Sequence, residues 1–526
     1  MKKTLLIIVL SLFTSQIISA QYTFDWMQDA SEYNKSAVMM AIDNSNNAFV
    51  TGHWLHSNIY TRKYSPSGTF LWEVSDASGI ASNYQKPIWS NCDSNGNVYV
   101  VGKRYTFSTT SSGIQEYANA IVVLKYNPSG VLLWKNTIPV TASTVGISPS
   151  FTLRSEVDAD GNLYIGTSQL TPYGLTLIKL NPSGTIVFQT SNATNSAYGF
   201  GSMRLKNDKI YMTGSGDTVH GTPLVVWDTL GNLVFSAGFI HVNNINPGFF
   251  SGFGEDLEVD DSGNIYILGR TNHSMSVPTN NIDILVQKVS STGTLLWQQN
   301  YDFGGNDFPQ RFSLGGNKVS IISASYGFEP NWRTLQIDTD GNLLWNTVYD
   351  AVSSVDEIPY FITTNTLGEP IVIGKGGPTA STSMSTVQMV VLKYSNNGVQ
   401  QWISTPNIYG GSGIYCKIAN DESLFAISEH NMTVYHYNPV VLSNQEDIFK
   451  NTKVYPNPFS DKVNIQLYEN ENNSNLSIYD VSGKLILEKK LNKINNELDL
   501  SNVNSGMYIC RLVSNNNQKT IKLIKK

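Results

Sequence analysis

The sequence predicts an all-β chain built from one repeated four-stranded unit, and three observations predict it. A strand–turn–strand motif ending in an aromatic residue recurs from Tyr60 to Trp402. A second motif, Asp-x-x-Gly-Asn followed by an apolar run, precedes each copy of the first. No segment shows sustained helical periodicity with caps at its ends.

The first motif is clearest in Tyr60-Thr-Arg-Lys-Tyr-Ser-Pro-Ser-Gly68-Thr-Phe-Leu-Trp72 and Val122-Val-Leu-Lys-Tyr-Asn-Pro-Ser-Gly130-Val-Leu-Leu-Trp134. A third copy ends at Phe188, and weaker ones end at Phe235, Trp297, Trp345 and Trp402. In all seven the glycine stands four residues before the aromatic, and the mean spacing is 55 residues. The second motif is clearest at Asp93–Gly102, Asp158–Gly166 and Asp260–Gly269, with degenerate forms near Asp43, Asn207, Gly316, Thr366 and Asp421. That makes eight copies against seven. Both motifs are hairpins: Pro presets φ, Gly supplies φ > 0, and Asp or Asn bonds the turn's own backbone. In the second unit the strands are expected near Lys86–Cys92, Asn97–Gly102, Ala120–Tyr126 and Val131–Asn136.

Four-stranded units at this period predict a β-propeller, because one blade cannot bury both faces and radial stacking buries them. The eighth unit has three strands, Ile414–Ala419, Leu424–Ser428 and Thr433–Tyr437, and no aromatic fourth. Gln21–Trp26 reads as an orphan copy of that strand, so pairing the two closes the ring and hides both edges. Eight blades are expected, with seven as the alternative count. The unit resembles the β-propeller repeats of many secreted bacterial proteins, including the family named for its seven-bladed repeat. The resemblance covers about residues 21–440 and implies architecture, not function.

Before the repeat, Lys2 and Lys3 flank an apolar stretch from Leu5 to Phe13, and Ile18-Ser-Ala20 offers a small residue at a cleavage position. This reads as a secretory signal peptide cut between Ala20 and Gln21. No cysteine lies nearby, so no lipoprotein anchor is indicated.

After the repeat, residues 441–452 read as a polar linker and composition shifts. Residues 448–526 hold 12 Lys and Arg against 7 Asp and Glu, a net +5, whereas residues 21–447 hold 21 against 34, a net −13. Short alternating strands near Val463–Leu467, Leu476–Tyr479, Leu485–Leu491, Glu497–Leu500, Met507–Val513 and Lys519–Ile524 predict a small Ig-like sandwich over residues 453–526. Within it Val454-Tyr-Pro456-Asn457-Pro458-Phe459, Leu476-Ser-Ile-Tyr479-Asp480-Val-Ser-Gly483-Lys-Leu485, Gly506-Met-Tyr508 and a basic end reaching Lys525 and Lys526 occur in order. The ordered set resembles the type A C-terminal sorting domain of the type IX secretion system of Bacteroidetes. The resemblance implies the type IX secretion machinery as partner, passage through the periplasm, and a final place outside the cell or on its surface. It also implies that the domain is usually removed.

The formal net charge of −6 argues against a nucleic-acid partner. No run of ~18 apolar residues follows the first 20, so no transmembrane segment is expected. Three cysteines exclude a disulfide scaffold; Cys92, Cys416 and Cys510 are expected as structural thiols. The chain lacks a Gly-x-Ser-x-Gly elbow, His-Glu-x-x-His, a Walker loop and Cys-x-x-Cys. His53 and His56 form the only close histidine pair and read as loop residues. Asp158–Asn162 and Asp338–Asn342 resemble the start of a calcium loop, but Gln169 and Tyr349 stand where the bidentate Glu belongs, so they read as hairpin turns. The glycine-to-aromatic spacing of four differs from the three of sialidase Asp boxes, and no arginine triad for a carboxylated sugar is evident. Gly341-Asn-Leu-Leu-Trp345 resembles a quinoprotein strand, but no vicinal cysteine pair accompanies it.

Two functional readings follow. The favoured one is a non-enzymatic propeller, without cofactor, binding a protein or glycan through loops near Tyr105–Ala118, Phe239–Phe253, Tyr301–Phe308 and Tyr409–Tyr415. The alternative is a polysaccharide hydrolase or lyase with carboxylates at the funnel, drawn from Asp256, Glu258, Asp307, Asp356 and Glu357.

Overall fold

The computed structural model describes residues 21–526 except 31–34, 55–57, 80–82, 111–112, 141–151, 171–172, 194–196, 198, 217–219, 241–251, 272–281, 327–330, 351–356, 377–387, 407–410, 441–451, 468–473, 482 and 515–516. The chain divides into two compact units, Met1–Pro439 and Val440–Lys526.

The first unit is an eight-bladed propeller. Blade 1 comprises Lys35–Ile42, Ala48–Trp54, Asn58–Tyr64 and Phe70–Ala77, paired antiparallel in chain order. The first strands of blades 2 to 8 are Asn83–Cys92, Arg154–Val157, Gly199–Lys206, Gly252–Val259, Asn306–Gly315, Ile358–Thr364 and Gly413–Ile418. In blade 8 the last place is taken by the N-terminal strand Tyr22–Gln28, which pairs antiparallel with Thr433–Pro439. The ring is therefore closed by hydrogen bonds between the two ends of the repeat, as the orphan strand implied.

The repeat motifs have a packing reason. The fourth-strand aromatics lie on the glycine of the next blade's turn, except Trp402, which packs on Tyr22 and Tyr437 of blade 8. A Cβ at Gly130 would meet Trp72 at 2.9 Å, one at Gly184 would meet Trp134 at 2.6 Å, and one at Gly68 would meet Trp26 at 2.6 Å. The indole also donates across the gap: Trp26 Nε1 to Pro66 O at 2.9 Å, Trp72 to Pro128 O at 3.0 Å and Trp134 to Pro182 O at 2.9 Å. Glycine is thus required twice over, by φ of +81° to +85° at these positions and by the ring it carries. The Asp-x-x-Gly-Asn turn is equally local. Asp158 Oδ1 accepts the N–H groups of Asp160 and Asn162, while Oδ2 accepts Asn162 Nδ2 and the Tyr164 hydroxyl. Asp338 repeats the pattern with Asp340 and Asn342. These carboxylates are spent on the turns, which explains the motif without an ion.

Three features depart from the expected strands. The middle hairpin of blade 2 runs Val98–Thr110 and Gly113–Tyr126, so most of the loop expected at Tyr105–Ala118 is paired strand. Its Thr, Phe and Tyr content favours strand although its polarity reads as loop. The connection expected over Tyr301–Phe308 narrows to residues 302–305. Blades 4 and 5 are joined by pairing of Ser215 with Phe253 and Gly216 with Gly252. Backbones approach so closely there that a Cβ at Gly201 would run into Gly254 O.

The second unit packs a three-stranded sheet, Lys453–Tyr455, Lys462–Gln466 and Asn495–Asp499, with a four-stranded one, Leu485–Leu491, Ser474–Asp480, Gly506–Ser514 and Asn517–Lys525. Val463, Ile465, Leu476, Ile478, Leu498, Tyr508, Cys510, Leu512 and Leu523 form its core.

Candidate functional site

The propeller axis is built by the first strands, and a ring of β-bulges shapes it. The register slips at the same level in seven of them: Ala37/Met39, Pro87/Trp89, Phe200/Ser202, Gly254/Asp256, Pro309/Arg311, Pro359/Phe361 and Gly413/Tyr415. A bulge inserts one residue and re-aims the side chain that follows it. Met39, Trp89, Arg311, Phe361 and Tyr415, together with Arg154 of blade 3, line a cavity of about 230 Å³. A second cavity of about 320 Å³ adjoins it and adds Asn91, Cys92, Glu156, Arg204 and Lys417. The Phe361 and Tyr415 rings stand 4.2 Å apart, and the Arg154 guanidinium lies 4.9 Å over Trp89.

Beside these cavities sits a buried ionic network. Arg154 Nη1 donates to Asp256 Oδ1 at 2.9 Å and to Ser202 Oγ at 2.6 Å. Ser202 Oγ also donates to Asp256 Oδ1 at 2.8 Å, and the Leu257 N–H donates at 3.0 Å. Arg204 Nη2 stands 3.7 Å from Asp256 and 2.7 Å from Glu258. Burial works against the Asp256 charge, but Arg154, Arg204 and Arg311 outweigh it and hold this carboxyl well below the usual range. Burial lowers Arg154 to about 10, with Asp256 pulling it back up. Glu156 goes the other way: burial raises its pKa and the nearby arginines only partly offset this.

The carboxylates expected at the funnel do not act as one group. Asp256 and Glu258 are tied to arginines. Asp307 is buried in blade 6, where it accepts the Phe303 N–H at 3.1 Å and lies 3.6 Å from Arg333 Nε; burial raises its pKa. Glu357 is buried, and Asp356 lies outside the described residues. His53 lies in the second strand of blade 1 and not in a loop, because the pairing with the first strand runs on to Trp54; His56 is outside the described residues. Cys416 is buried and Cys92 half-buried against the axial cavity, and burial raises both thiols, which marks them as unreactive. Cys510 is pushed up to about 12. Residues 1–20, with the cleavage residue Ala20, lie outside the described residues; Gln21 is exposed.

Reading down the aligned repeats would have found the network. Arg154, Ser202 and Asp256 are 48 and 54 residues apart, close to one repeat each, and with Arg311 of blade 6 they interrupt a column that holds Met39, Trp89, Phe361 and Tyr415 in the other blades. Arg154, Arg204 and Arg311 all act on Asp256, two of them as its ion-pair partners.

In the tail, the motif residues hold the C-terminal strand. Asn457 Nδ2 donates to Lys522 O at 2.6 Å, and Asn457 Oδ1 accepts the Ile524 N–H at 2.9 Å. It stands between Pro456 and Pro458, both preceded by cis peptides. Phe459 exchanges backbone bonds with Ile524 and Lys526. Lys525 is buried, and its ammonium donates to Leu500 O at 2.6 Å and Ser501 O at 2.9 Å. Asp480 and Gly483 form a turn in which the Lys484 N–H donates to Asp480 Oδ1, Gly506 opens the next strand, and the Tyr508 hydroxyl donates to Asn504 O. Tyr479 pairs with Ile509 and Lys526 is exposed.

Residues 453–526 match the family model described as a secretion system C-terminal sorting domain. No curated protein matches the chain. Among solved structures, the Dos1 propeller is 11% identical with a TM-score of 0.44, covering 79% of this chain and 95% of its own. PorZ, a surface component of the type IX secretion system of Porphyromonas gingivalis, is 10% identical with a TM-score of 0.31, covering 93% and 81%. The β-propeller domain of the Trilobed protease from Pyrococcus furiosus is 8% identical with a TM-score of 0.37, covering 70% and 100%. The chain is thus a β-propeller protein that carries a type IX sorting domain and is directed to the cell surface or beyond. No helix among the described residues is long and apolar enough to cross a membrane.

Proposed function

We propose that the propeller is a non-enzymatic binding module that takes an extracellular protein or glycan at the end of the ring bearing its long connections. The observation that carries this reading is the state of the axial carboxylates. Asp256 is buried and accepts from Arg154, Ser202 and the Leu257 N–H. Glu258 is paired with Arg204. Neither is free to attack, protonate or deprotonate a substrate. The long-connection end supplies contact chemistry instead. Arg270 lies 4.3 Å over Phe253, and Arg333 lies 4.3 Å over Phe303.

Glu156 favours the alternative, a hydrolase or lyase, because it is a cavity-lining carboxyl with a raised pKa. One screen separates the two: binding and turnover of extracellular polysaccharides by the mature chain. Binding without turnover supports the module. Turnover abolished by Glu156→Gln replaces it with the enzyme.

The sorting domain carries the route. It is proposed to bring the chain through the periplasm to the outer-membrane machinery and then to be removed. A chain ending at Asn451, made in a Bacteroidetes host, should accumulate folded in the periplasm. The full chain should appear outside, shorter by roughly the mass of the tail. Surface display of the truncated chain would sink this route.

A further inference from the structure

We infer that the axial cavity is a binding site for a carboxylated sugar ring, with Arg311 as the group that takes the carboxylate. The inference rests on the reading of the propeller as a binding module and adds a site on the ring's axis, among the first strands, with its own ligand class.

At this cavity the fold leaves several polar groups unspent. Arg154 and Arg204 are committed to Asp256 and Glu258. Arg311 is not. It follows the bulge in the first strand of blade 6 and lines the 230 Å³ cavity. Among the described residues its guanidinium makes one hydrogen bond, Nη1 to Gln310 O at 3.3 Å, and no ion pair. Four or more N–H donors on a planar fork therefore remain, the geometry that suits a carboxylate. The Tyr415 hydroxyl, the Glu156 carboxyl and the Lys417 ammonium line the same connected space without a hydrogen bond to another described group. Lys417 is exposed, but Arg311, Glu156 and Tyr415 are half-buried, and half-buried polar groups left unpaired cost free energy unless water or a ligand bonds them.

The surrounding surface selects for a ring. Trp89, Tyr360, Phe361 and Tyr415 give apolar faces of the kind on which a sugar's C–H face packs. The two cavities share Met39, Trp89, Arg154, Phe361 and Tyr415, so they form one space, and its size lies in the lower part of the range for small-molecule sites. Charge selects the sign. Arg154, Arg204, Arg311 and Lys417 face Glu156, Asp256 and Glu258, a local excess of one positive charge within a ring whose residues 21–447 carry a net −13. A neutral sugar would leave Arg311 unpaired, and a cationic one would be repelled by it. A uronate satisfies the guanidinium with its carboxylate and offers hydroxyls to Glu156 and Tyr415.

The test is calorimetric titration of the full mature chain with trigalacturonate, with the uncharged galactose trimer, and with acetate. Trigalacturonate should bind, and the other two should bind at least about tenfold more weakly. Arg311→Gln, which breaks no ion pair, should keep the wild-type melting temperature within a few degrees and weaken trigalacturonate about tenfold or more. Arg311→Lys should fall between, because a point charge replaces the fork. Equal binding of the neutral trimer, undiminished binding by Arg311→Gln, or no binding of trigalacturonate overturns the inference. Binding of some other glycan or protein, unaffected by Arg311→Gln, would overturn this site and leave the module standing. Cleavage of trigalacturonate with Arg311-dependent affinity would keep the site and overturn the non-enzymatic reading.

Discussion

The two ends of the propeller obey different rules. At one end every connection is a tight turn, and the same few contacts recur blade after blade. Asp or Asn bonds its own turn, a glycine carries the previous blade's aromatic, and a third-strand lysine reaches over an aromatic ring: Lys63 over Phe49 at 4.8 Å, Lys125 over Tyr99 at 4.6 Å, Lys179 over Tyr164 at 5.1 Å and Lys288 over Tyr266 at 5.2 Å. At the other end the connections differ in length, and among the described residues no contact recurs blade after blade. The Arg270 pairing with Phe253 and the Tyr84–Tyr105 stack each occur once. Repetition at one end is what stacking identical blades requires. Variation at the other is what remains when the fold makes no demand, and binding residues concentrate on such connections.

That contrast can be broken or sharpened by perturbing each region. The largest effect is expected from deleting Gln21–Trp26, which unpairs blade 8 and takes the rings of Tyr22 and Trp26 out of the packing between blades. Their burial alone is worth about 3–6 kcal/mol, so denaturant titration should show a loss of at least that size, with lower solubility from the bared edge. An unchanged unfolding curve would mean the closure contributes nothing.

Next is Asp256→Ala, which leaves Arg154 buried without its counter-charge and should cost about 3–5 kcal/mol. The folded-state pKa of Asp256 is depressed. Its contribution is therefore full above the unfolded value of ~3.9 and is lost as pH falls through the folded value. The gap between wild type and Asp256→Ala should close in acid. A constant gap from pH 7 to pH 2 would remove the ion pair as its cause.

At the repeated end, Gly184→Ala places a Cβ 2.6 Å from Trp134 at φ +85° and should cost about 1–3 kcal/mol. A neutral result would show that the aromatic moves aside freely. On the axis the sign reverses. Glu156 has a raised pKa, so its contribution is full below the unfolded value of ~4.3 and is lost as pH rises through the folded value. Glu156→Gln should melt higher than wild type at pH 8 and alike at pH 4; equal melting at both would sink the assignment. The smallest effect is expected at the variable end, where Arg270→Gln removes a cation–π contact with Phe253 and a partly exposed ion pair with Glu255, together worth about 0.5–2 kcal/mol. A loss several times larger would mean that this end is as structural as the other.

Much of the fold was legible in the sequence because its determinants are local. A turn needs Asp, Gly and Asn at fixed offsets, and a blade needs an aromatic four residues after a glycine. Both survive as a period of about 55 residues, and the odd strand at Gln21–Trp26 completed the count. The tail was legible for the same reason, although the basic end did not reveal that Lys525 is a buried ammonium held by two carbonyls. The axis was not legible. Whether Arg154, Ser202, Asp256 and Arg311 meet depends on radial closure, which turns equivalent positions of different blades toward one line, and on bulges, which add a residue and so change which side chain faces inward. Whether each charge is then spent or free depends on distances of an ångström or two between residues some fifty positions apart. The sequence alone determined the ring and its repeated end, since each turn carries its own instructions. Only the tertiary structure decided that Asp256 is neutralised and Arg311 is not, because that outcome belongs to the packing of four blades together and to no one of them.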